Sequence, residues 1–241
     1  MNLRILAGVL ALCTASPASA LETRTLTTEV PAADLDTFVL RVDVGEVRVI
    51  GDDGDSVRVT LTLREDKKYL VVTSKKVREA IAGAELTHEL MSRGRVSFSV
   101  DYPVRLTEDD RDYLEEEWEI RVPERFATRM NVNVGALNIA GLSGGVDARV
   151  SVGELEIDVP SGSIDANVGV GEIDARSATS SHGDIRLSAN VGSVSLNLNG
   201  DRVKPNRPPG PSSDITIEGE GDDRLELTVS VGEASLVVQR D

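Results

Sequence analysis

Acidic side chains recur at a fixed spacing in this chain, and they are the groups best placed to do chemistry. Glu154 and Glu172 each follow a glycine directly. If successive repeats stack about 4.8 Å apart, aligned carboxylates repel one another, and water, a basic neighbour or a bound cation must relieve the strain. A second series lies three residues after successive glycines: Asn138, Asp147, Glu156, Asp165 and Asp174.

Two interpretations of these carboxylates stay open. They form either a weak ladder for divalent ions or cationic ligands, or a solvated face that keeps copies of the protein from joining sideways, since exposed carboxylates interact weakly in water. The nine-residue interval resembles that of calcium-binding nonapeptide rolls, but the paired glycines of those rolls are missing. We therefore predict no resident metal or cofactor, with one candidate cation ladder: Asp147, Glu154, Glu156, Asp165, Glu172 and Asp174.

Other catalytic groups are sparse. His88 and His182 are far apart, the one cysteine is Cys13, and no nucleophile elbow, phosphate-binding loop or dinucleotide fingerprint is present. We predict no catalytic residues. The alternative is a polysaccharide-acting β-helix enzyme, which requires Asp165, Asp174 and Arg186 to converge around a groove. A glycan-binding module is a further alternative, although an aromatic content of 3% disfavours stacking on sugars.

One phrase, a glycine followed by alternating apolar and polar residues, recurs along the chain and must position these side chains. It begins as DVGEVRV at Asp43 and returns as NVGALNI, SVGELEI and SVGEASL. The spacing predicts an all-β fold: a single-stranded β-solenoid or β-helix with two-strand coils of about 18 residues. Val134, Leu137 and Ile139, with their equivalents in later repeats, should form buried inward rows. The predicted turn glycines are Gly45, Gly135, Gly153, Gly171, Gly183, Gly192 and Gly232.

Residues 1–20 read as a secretory signal peptide, with cleavage near Ala20. The bulky Leu12 before Cys13 disfavours a lipoprotein anchor. We expect residues 21–241 to form one solenoid domain with an insert at about 65–118 and a proline-rich loop at 203–213. Within the insert we predict a strand at 69–73 and an amphipathic helix over 75–91 that covers part of the solenoid. The proline-rich loop should project from the rod, with the final coils following it.

Net charge and hydropathy restrict where the protein can be located and which classes of partner it can bind. The net charge is −15, and loss of the leader with its single charged residue, Arg4, makes it −16. Such a surface repels nucleic acid. Beyond the leader no stretch approaches the roughly 18 apolar residues of a membrane span. We expect a periplasmic or secreted product.

The signal peptide, the early VGEV strand, the strand ending in Val122-Pro123 and the serial glycine-punctuated strands together resemble the bacterial putative-adhesin β-strand-repeat family, also called toastrack domains. The resemblance covers about 38–238. It implies a β-solenoid at the bacterial envelope and supplies no catalytic residues. The function expected is therefore a non-catalytic scaffold or adhesin-like interaction module, with an envelope protein or surface component as its partner and with its oligomeric state open.

Overall fold

The fold is all-β, as the repeats predict. A computed structural model describes residues 23–66, 75–179, 182–206 and 210–239. It contains one sheet of 13 strands and two short helices. In chain order the elements are β1 (Thr23–Pro31), β2 (Thr37–Asp52), β3 (Ser56–Glu65), α1 (Lys75–Gly83), β4 (Glu85–Met91), β5 (Arg95–Asp101), α2 (Glu108–Arg111), β6 (Leu114–Pro123), β7 (Ala127–Ala140), β8 (Val146–Val159), β9 (Ile164–Ser177), β10 (His182–Leu198), β11 (Asp201–Val203), β12 (Ser213–Ile217) and β13 (Asp223–Val238).

Six long parallel strands form the centre of the sheet, in the order β2-β7-β8-β9-β13-β10. The last described strand, β13, lies between β9 and β10 and not at the end of the row, a position that the order of the strands along the chain did not indicate. The short strands β11 and β12 pair with β10 and cover its outer edge, where the amide of Gly192 also donates to the carbonyl of Pro211 at 3.0 Å.

Each central strand bends at one glycine. Across β7, β8 and β9 the register joins Gly135 to Gly153 and Gly153 to Gly171, so one 18-residue repeat equals one step across the sheet. The repeat contains a single 14-residue strand bent at its glycine, where two separate strands were predicted. We call the part before the glycine the N-limb and the part after it the C-limb.

The core is built from rows of aligned apolar side chains. In the N-limbs the alternating residues Met130 and Val132 are buried, and in the C-limbs Leu137 and Ile139 are buried. The register carries each of these positions across the neighbouring strands, so aliphatic side chains stack row upon row in one cluster. Burial of this apolar surface is the main term that stabilises the sheet.

The sheet forks at β2. Residues 37–40 of β2 pair with β5, whereas residues 46–52 of the same strand pair with β6 on the same side. The β6 branch continues through β3 to β1, and the β5 branch ends in the β4–β5 hairpin. Helix α1 packs near β1 and β3 with Val77, Ala80 and Ile81 buried.

The predicted helix over 75–91 was too long. Helix α1 ends at Gly83, and residues 85–91 form β4, so His88 lies on a strand with its ring 5.8 Å from that of Phe98. Gly83 and the alternation around Leu86 were the available signals for this boundary. The predicted strand at 69–73 and the leader at 1–20 lie outside the described residues. No helix in the described part of the chain is long and apolar enough to cross a membrane.

Candidate functional site

A row of exposed valines crosses the six central strands. Each valine directly precedes a bend glycine, and the pairing register places the six in one line. Their exposed fractions lie between 40% and 50%. With strands about 4.8 Å apart, the line is about 24 Å long. We call it the valine ridge; in sheet order it consists of Val44, Val134, Val152, Val170, Val231 and Val191.

The ridge corrects the prediction that Val134, Val152 and Val170 are buried. They do align in one column, but that column faces solvent. At Gly153 the backbone has φ of 140°, a conformation that L-residues with a side chain rarely adopt, and the bend reverses the inside–outside alternation. Two successive residues therefore point outward just before each glycine, the second of them the valine.

Contiguous exposed apolar surface of a few hundred Å² on a soluble protein marks an interaction site more often than a single exposed side chain does. The valine ridge brings six exposed valines into one continuous row, where single exposed side chains would carry no such indication. It lies on paired strands whose side chains on either side of the bend, such as Val150 and Leu155, are buried in the core. The ridge is therefore held rigid and needs no rearrangement to present its apolar edge.

An acidic surface flanks the ridge on the C-limb side. We call it the acidic face: Glu154, Glu156, Asp158, Glu172, Asp174 and Glu233, all exposed. The register places Glu154, Glu172 and Glu233 in one row immediately beside the ridge. Arg176 lies among them, 3.8 Å from Glu156. Negative charge therefore dominates this side of the ridge.

The N-limb side of the ridge carries mixed charge that is largely paired. Arg129 and Arg149 contact the two oxygens of Asp147 at 2.9 and 2.8 Å. Arg186 contacts Asp184 at 2.9 Å. The ridge thus separates a strongly acidic surface on its C-limb side from a surface with nearly equal positive and negative charge on its N-limb side. The electrostatic surroundings of the ridge are therefore asymmetric.

The register brings the predicted carboxylate ladder into line, with Asp147 beside Asp165 and Glu156 beside Asp174. Asn138 donates to Glu156 at 2.7 Å, so an amide as well as arginines lies between the carboxylates. Within the described residues no group of three or more His, Cys, Asp or Glu is placed to hold a metal ion. The cation ladder stays a prediction.

The residues required for the enzymatic alternative do not converge. Asp165 lies on the N-limb of β9, and Asp174 lies on the C-limb beyond the bend at Gly171. A surface groove of about 640 Å³ runs beneath the N-limbs and is lined by Asp165, but neither Asp174 nor Arg186 lines it. The three-residue catalytic arrangement proposed from the sequence is therefore not formed.

Of the predicted turn glycines, six lie in the bend column and Gly183 does not. Gly183 stands near the start of β10, where an added Cβ would meet the carbonyl of Gly221. Gly45 occupies the column without a positive φ, whereas the other five have φ between 137° and 142°. The column is Gly45, Gly135, Gly153, Gly171, Gly232 and Gly192.

A buried carboxylate lies at the fork and was missed in the sequence. Glu116 is 7% exposed, and it accepts hydrogen bonds from the Tyr102 hydroxyl at 2.8 Å and from the Trp118 indole at 3.1 Å. It borders a cavity of about 630 Å³, which Arg111 also lines. The alternation of Leu114, Glu116 and Trp118 was the available signal, since it places a glutamate on the inward face.

Burial raises the pKa of Glu116 above its ordinary value, and the hydrogen bonds from Tyr102 and Trp118 only partly offset this. Burial, together with the charge of Glu116, also raises the pKa of the Tyr102 hydroxyl. Both shifts result from the low-dielectric surroundings of the fork. The hydrogen bonds from the Tyr102 hydroxyl and the Trp118 indole replace the water that the buried Glu116 carboxylate has lost, and we regard this contact as structural.

We expect the pH dependence of stability to report Glu116. Because its pKa is higher in the folded than in the unfolded state, the folded protein binds the proton more tightly. The free energy of unfolding therefore falls as the pH rises from the ordinary value of 4.5 through the raised one. Glu116→Gln should remove this decline and be at least as stable as the wild type at pH 7, measured by urea unfolding from pH 4 to 8.

The control for Glu116 is Glu119→Gln, which removes the same charge from the exposed side of the same strand. It should retain the decline with pH. An unchanged pH profile in Glu116→Gln would show that another group is responsible.

Comparison with solved structures shows what the fold is similar to. A putative cell adhesion protein from Clostridium sporogenes matches with a TM-score of 0.53 and 14% identity, over 91% of this chain and 100% of that chain. This chain shares that fold. A putative adhesin from Bacteroides fragilis matches with a TM-score of 0.35 and 10% identity, over 92% of this chain and 98% of that one. No protein-family model matches the sequence, and no curated protein matches it.

The resemblance predicted from the glycine-punctuated strands is thus confirmed at the level of the fold, since the Clostridium sporogenes protein that shares it is named a putative cell adhesion protein. At 14% identity the comparison carries no site residue from one protein to the other. The features that bear on function are therefore those of this chain: the valine ridge, the acidic face and the fork.

Proposed function

We propose that this protein is an exported, non-catalytic interaction module of the bacterial cell envelope, in which the central strands act as a solenoid scaffold and the valine ridge is the binding surface. The observation that carries the proposal is the line of six exposed valines on strands that are otherwise filled with buried aliphatic rows. A row of exposed valines lowers the solubility of a protein. A binding partner that covers the row would account for its position at the surface.

The short connections support a solenoid. Parallel neighbours usually need a crossover of a dozen or more residues. Here residues 141–145 join β7 to β8, and residues 160–163 join β8 to β9. So short a connection suffices only if the bent strand itself returns the chain to its starting side, because its N-limb and C-limb then face each other across the core. Each strand with its connection is one coil in this proposal.

The charged side chains support a binding role over a catalytic one. The carboxylates most regularly placed are exposed or are paired with arginine, as Asp147 is with Arg129 and Arg149. Among the described residues two glutamates are deeply buried, and both are engaged: Glu116 accepts hydrogen bonds from Tyr102 and Trp118, and Glu65 contacts Arg78 at 3.3 Å. General acid–base catalysis needs such groups to face a substrate together, and these do not.

Site-directed cross-linking in cell envelopes tests this function. No cysteine follows Cys13, so one introduced cysteine is unique once the leader is removed. Val152→Cys and Val170→Cys, each labelled with a photoactivated cross-linker, should give discrete adducts in intact envelopes. Thr25→Cys and Thr27→Cys, on the exposed side of the edge strand β1, are the matched controls and should not.

Adducts of equal yield from the ridge and from β1 would contradict the binding surface. Retention of the full chain in the cytoplasmic fraction would contradict the location. Cross-linking and location are measured in the same cells. A failure to cross-link therefore counts against the binding surface only when the protein is found in the envelope fraction.

A further inference from the structure

We infer that the valine ridge and the acidic face together bind a cationic amphipathic helix of a partner protein. This inference rests on the proposed function and names the chemistry of the partner. The helix would lie along the ridge, across the strands, with its apolar stripe on the valines and its lysine or arginine side chains over Glu154, Glu172 and Glu233.

Backbone hydrogen bonding decides that the partner segment is helical. Strands β7, β8, β9 and β13 each have a paired strand on both sides, so the edges of all four are already occupied within the sheet. The ridge lies on the face of these strands and offers no free edge to which a further strand could add. A segment that crosses the ridge must satisfy its own backbone groups, and an α-helix does so internally.

Length and spacing agree with a helix. A line of about 24 Å corresponds to about 16 helical residues at 1.5 Å each. The valines repeat about every 4.8 Å and the turns of a helix every 5.4 Å, so over two turns the apolar stripe of a helix drifts by only about 1.2 Å against the valines. An extended peptide places side chains of one face nearly 7 Å apart and matches the ridge less well.

The charges on the two flanks of the ridge indicate that the partner is positively charged. The acidic face lies along one flank of the ridge, whereas ion pairs such as Arg149–Asp147 largely neutralise the other flank. A helix with basic residues on one side of its apolar stripe therefore has one favoured orientation. A second copy of this chain is disfavoured as the occupant, because two chains of net charge −15 repel each other.

The experiment uses the chain from residue 21 onward and a defined probe. The probe is a blocked 16-residue peptide with leucine along one helical stripe, lysine along one flank and glutamine elsewhere. Fluorescence anisotropy should show binding in the micromolar range that weakens with salt. A peptide with two central prolines and otherwise the same sequence should bind at least tenfold more weakly, since it cannot form the helix.

Three double variants locate the binding surface. Val152→Lys/Val170→Lys should weaken binding tenfold or more, because it removes apolar contact and adds like charge. Thr25→Lys/Thr27→Lys adds the same charge on β1 and should weaken binding less than threefold. Glu154→Gln/Glu172→Gln should weaken binding roughly threefold to tenfold at low salt and flatten the salt dependence, since exposed pairs contribute modestly.

The possible results separate this inference from the proposed function. Equal binding by the helical and the proline peptides, or binding that the ridge variant leaves unchanged, overturns the helix. Ridge-dependent self-association in sedimentation experiments overturns it in favour of a second copy. Ridge-specific cross-links in envelopes, combined with no binding of the peptide, would support the proposed interaction module and overturn the cationic helix as its partner. If neither cross-links nor peptide binding are observed, the ridge is not a binding surface.

Discussion

Alanine at position 153 is expected to lower the free energy of unfolding by about 3 kcal/mol or more. A Cβ on Gly153 would overlap the backbone carbonyl of Gly135 on the neighbouring strand, and φ is 140°. Neither the carbonyl nor the strand can move alone, because the same contact recurs at each step of the glycine column. Urea unfolding of Gly153→Ala against the wild type measures the loss.

Gly210→Ala separates backbone strain from overlap. Its φ is 134°, close to that of Gly153, but no atom lies within 4 Å of the added Cβ. Gly210→Ala should lower the free energy of unfolding by about 1 kcal/mol, which is the contribution of backbone strain alone. If the two variants unfold at the same urea concentration, close packing of the glycine column does not hold the strands together.

Lysine at position 150 and lysine at position 152 should have opposite outcomes. Val150 is 1% exposed and Val152 is 46% exposed, although they are two residues apart on β8. Val150→Lys places an ammonium group in the aliphatic core and should cost more than about 4 kcal/mol or prevent folding. Val152→Lys should change stability by less than about 0.5 kcal/mol, measured by thermal and urea unfolding.

The pair contains its own control, since both variants add the same charge to the same strand. Comparable destabilisation of the two would mean that Val152 is buried in solution and that the alternation continues through the glycine. In that case the valine ridge does not exist. Retained stability of Val152→Lys also establishes that the ridge variants used in the binding experiments are folded.

The strand repeats could be predicted from the sequence because strand periodicity and glycine spacing are local. Leu155 and Ile157 alternate with Glu154, Glu156 and Asp158, and burial follows this alternation. The register also follows from the glycines, since Gly135, Gly153 and Gly171 are placed so that neighbouring carbonyls occupy the space where a Cβ would be. The alternation arises from apolar burial within a few residues, and the register from hard-sphere contacts that recur every 18 residues.

The exposure of Val152 could not be obtained from periodicity. Continuous alternation from Val150 places Val152 inward, and valine is a core residue by type. The alternation shifts at the glycine of the column, so the side chain turns outward. It shifts in the same way at Gly45, where φ is not positive and Val44 is 40% exposed, so a positive φ alone does not account for it. At both Gly45 and Gly153 a backbone carbonyl of the neighbouring strand lies in the space where a Cβ would be, and only the assembled sheet creates that contact.

The sequence by itself determined that this chain forms glycine-punctuated strands with one apolar side, because alternation and the absence of a Cβ act at short range. The tertiary structure decided the place of β13 between β9 and β10, since Gly232 fits beside Gly171 and Gly192 equally well and local pattern does not rank such neighbours. It also decided which valines remain at the surface. Both outcomes depend on contacts between segments distant in sequence, where packing of the whole sheet selects among strands that are locally alike.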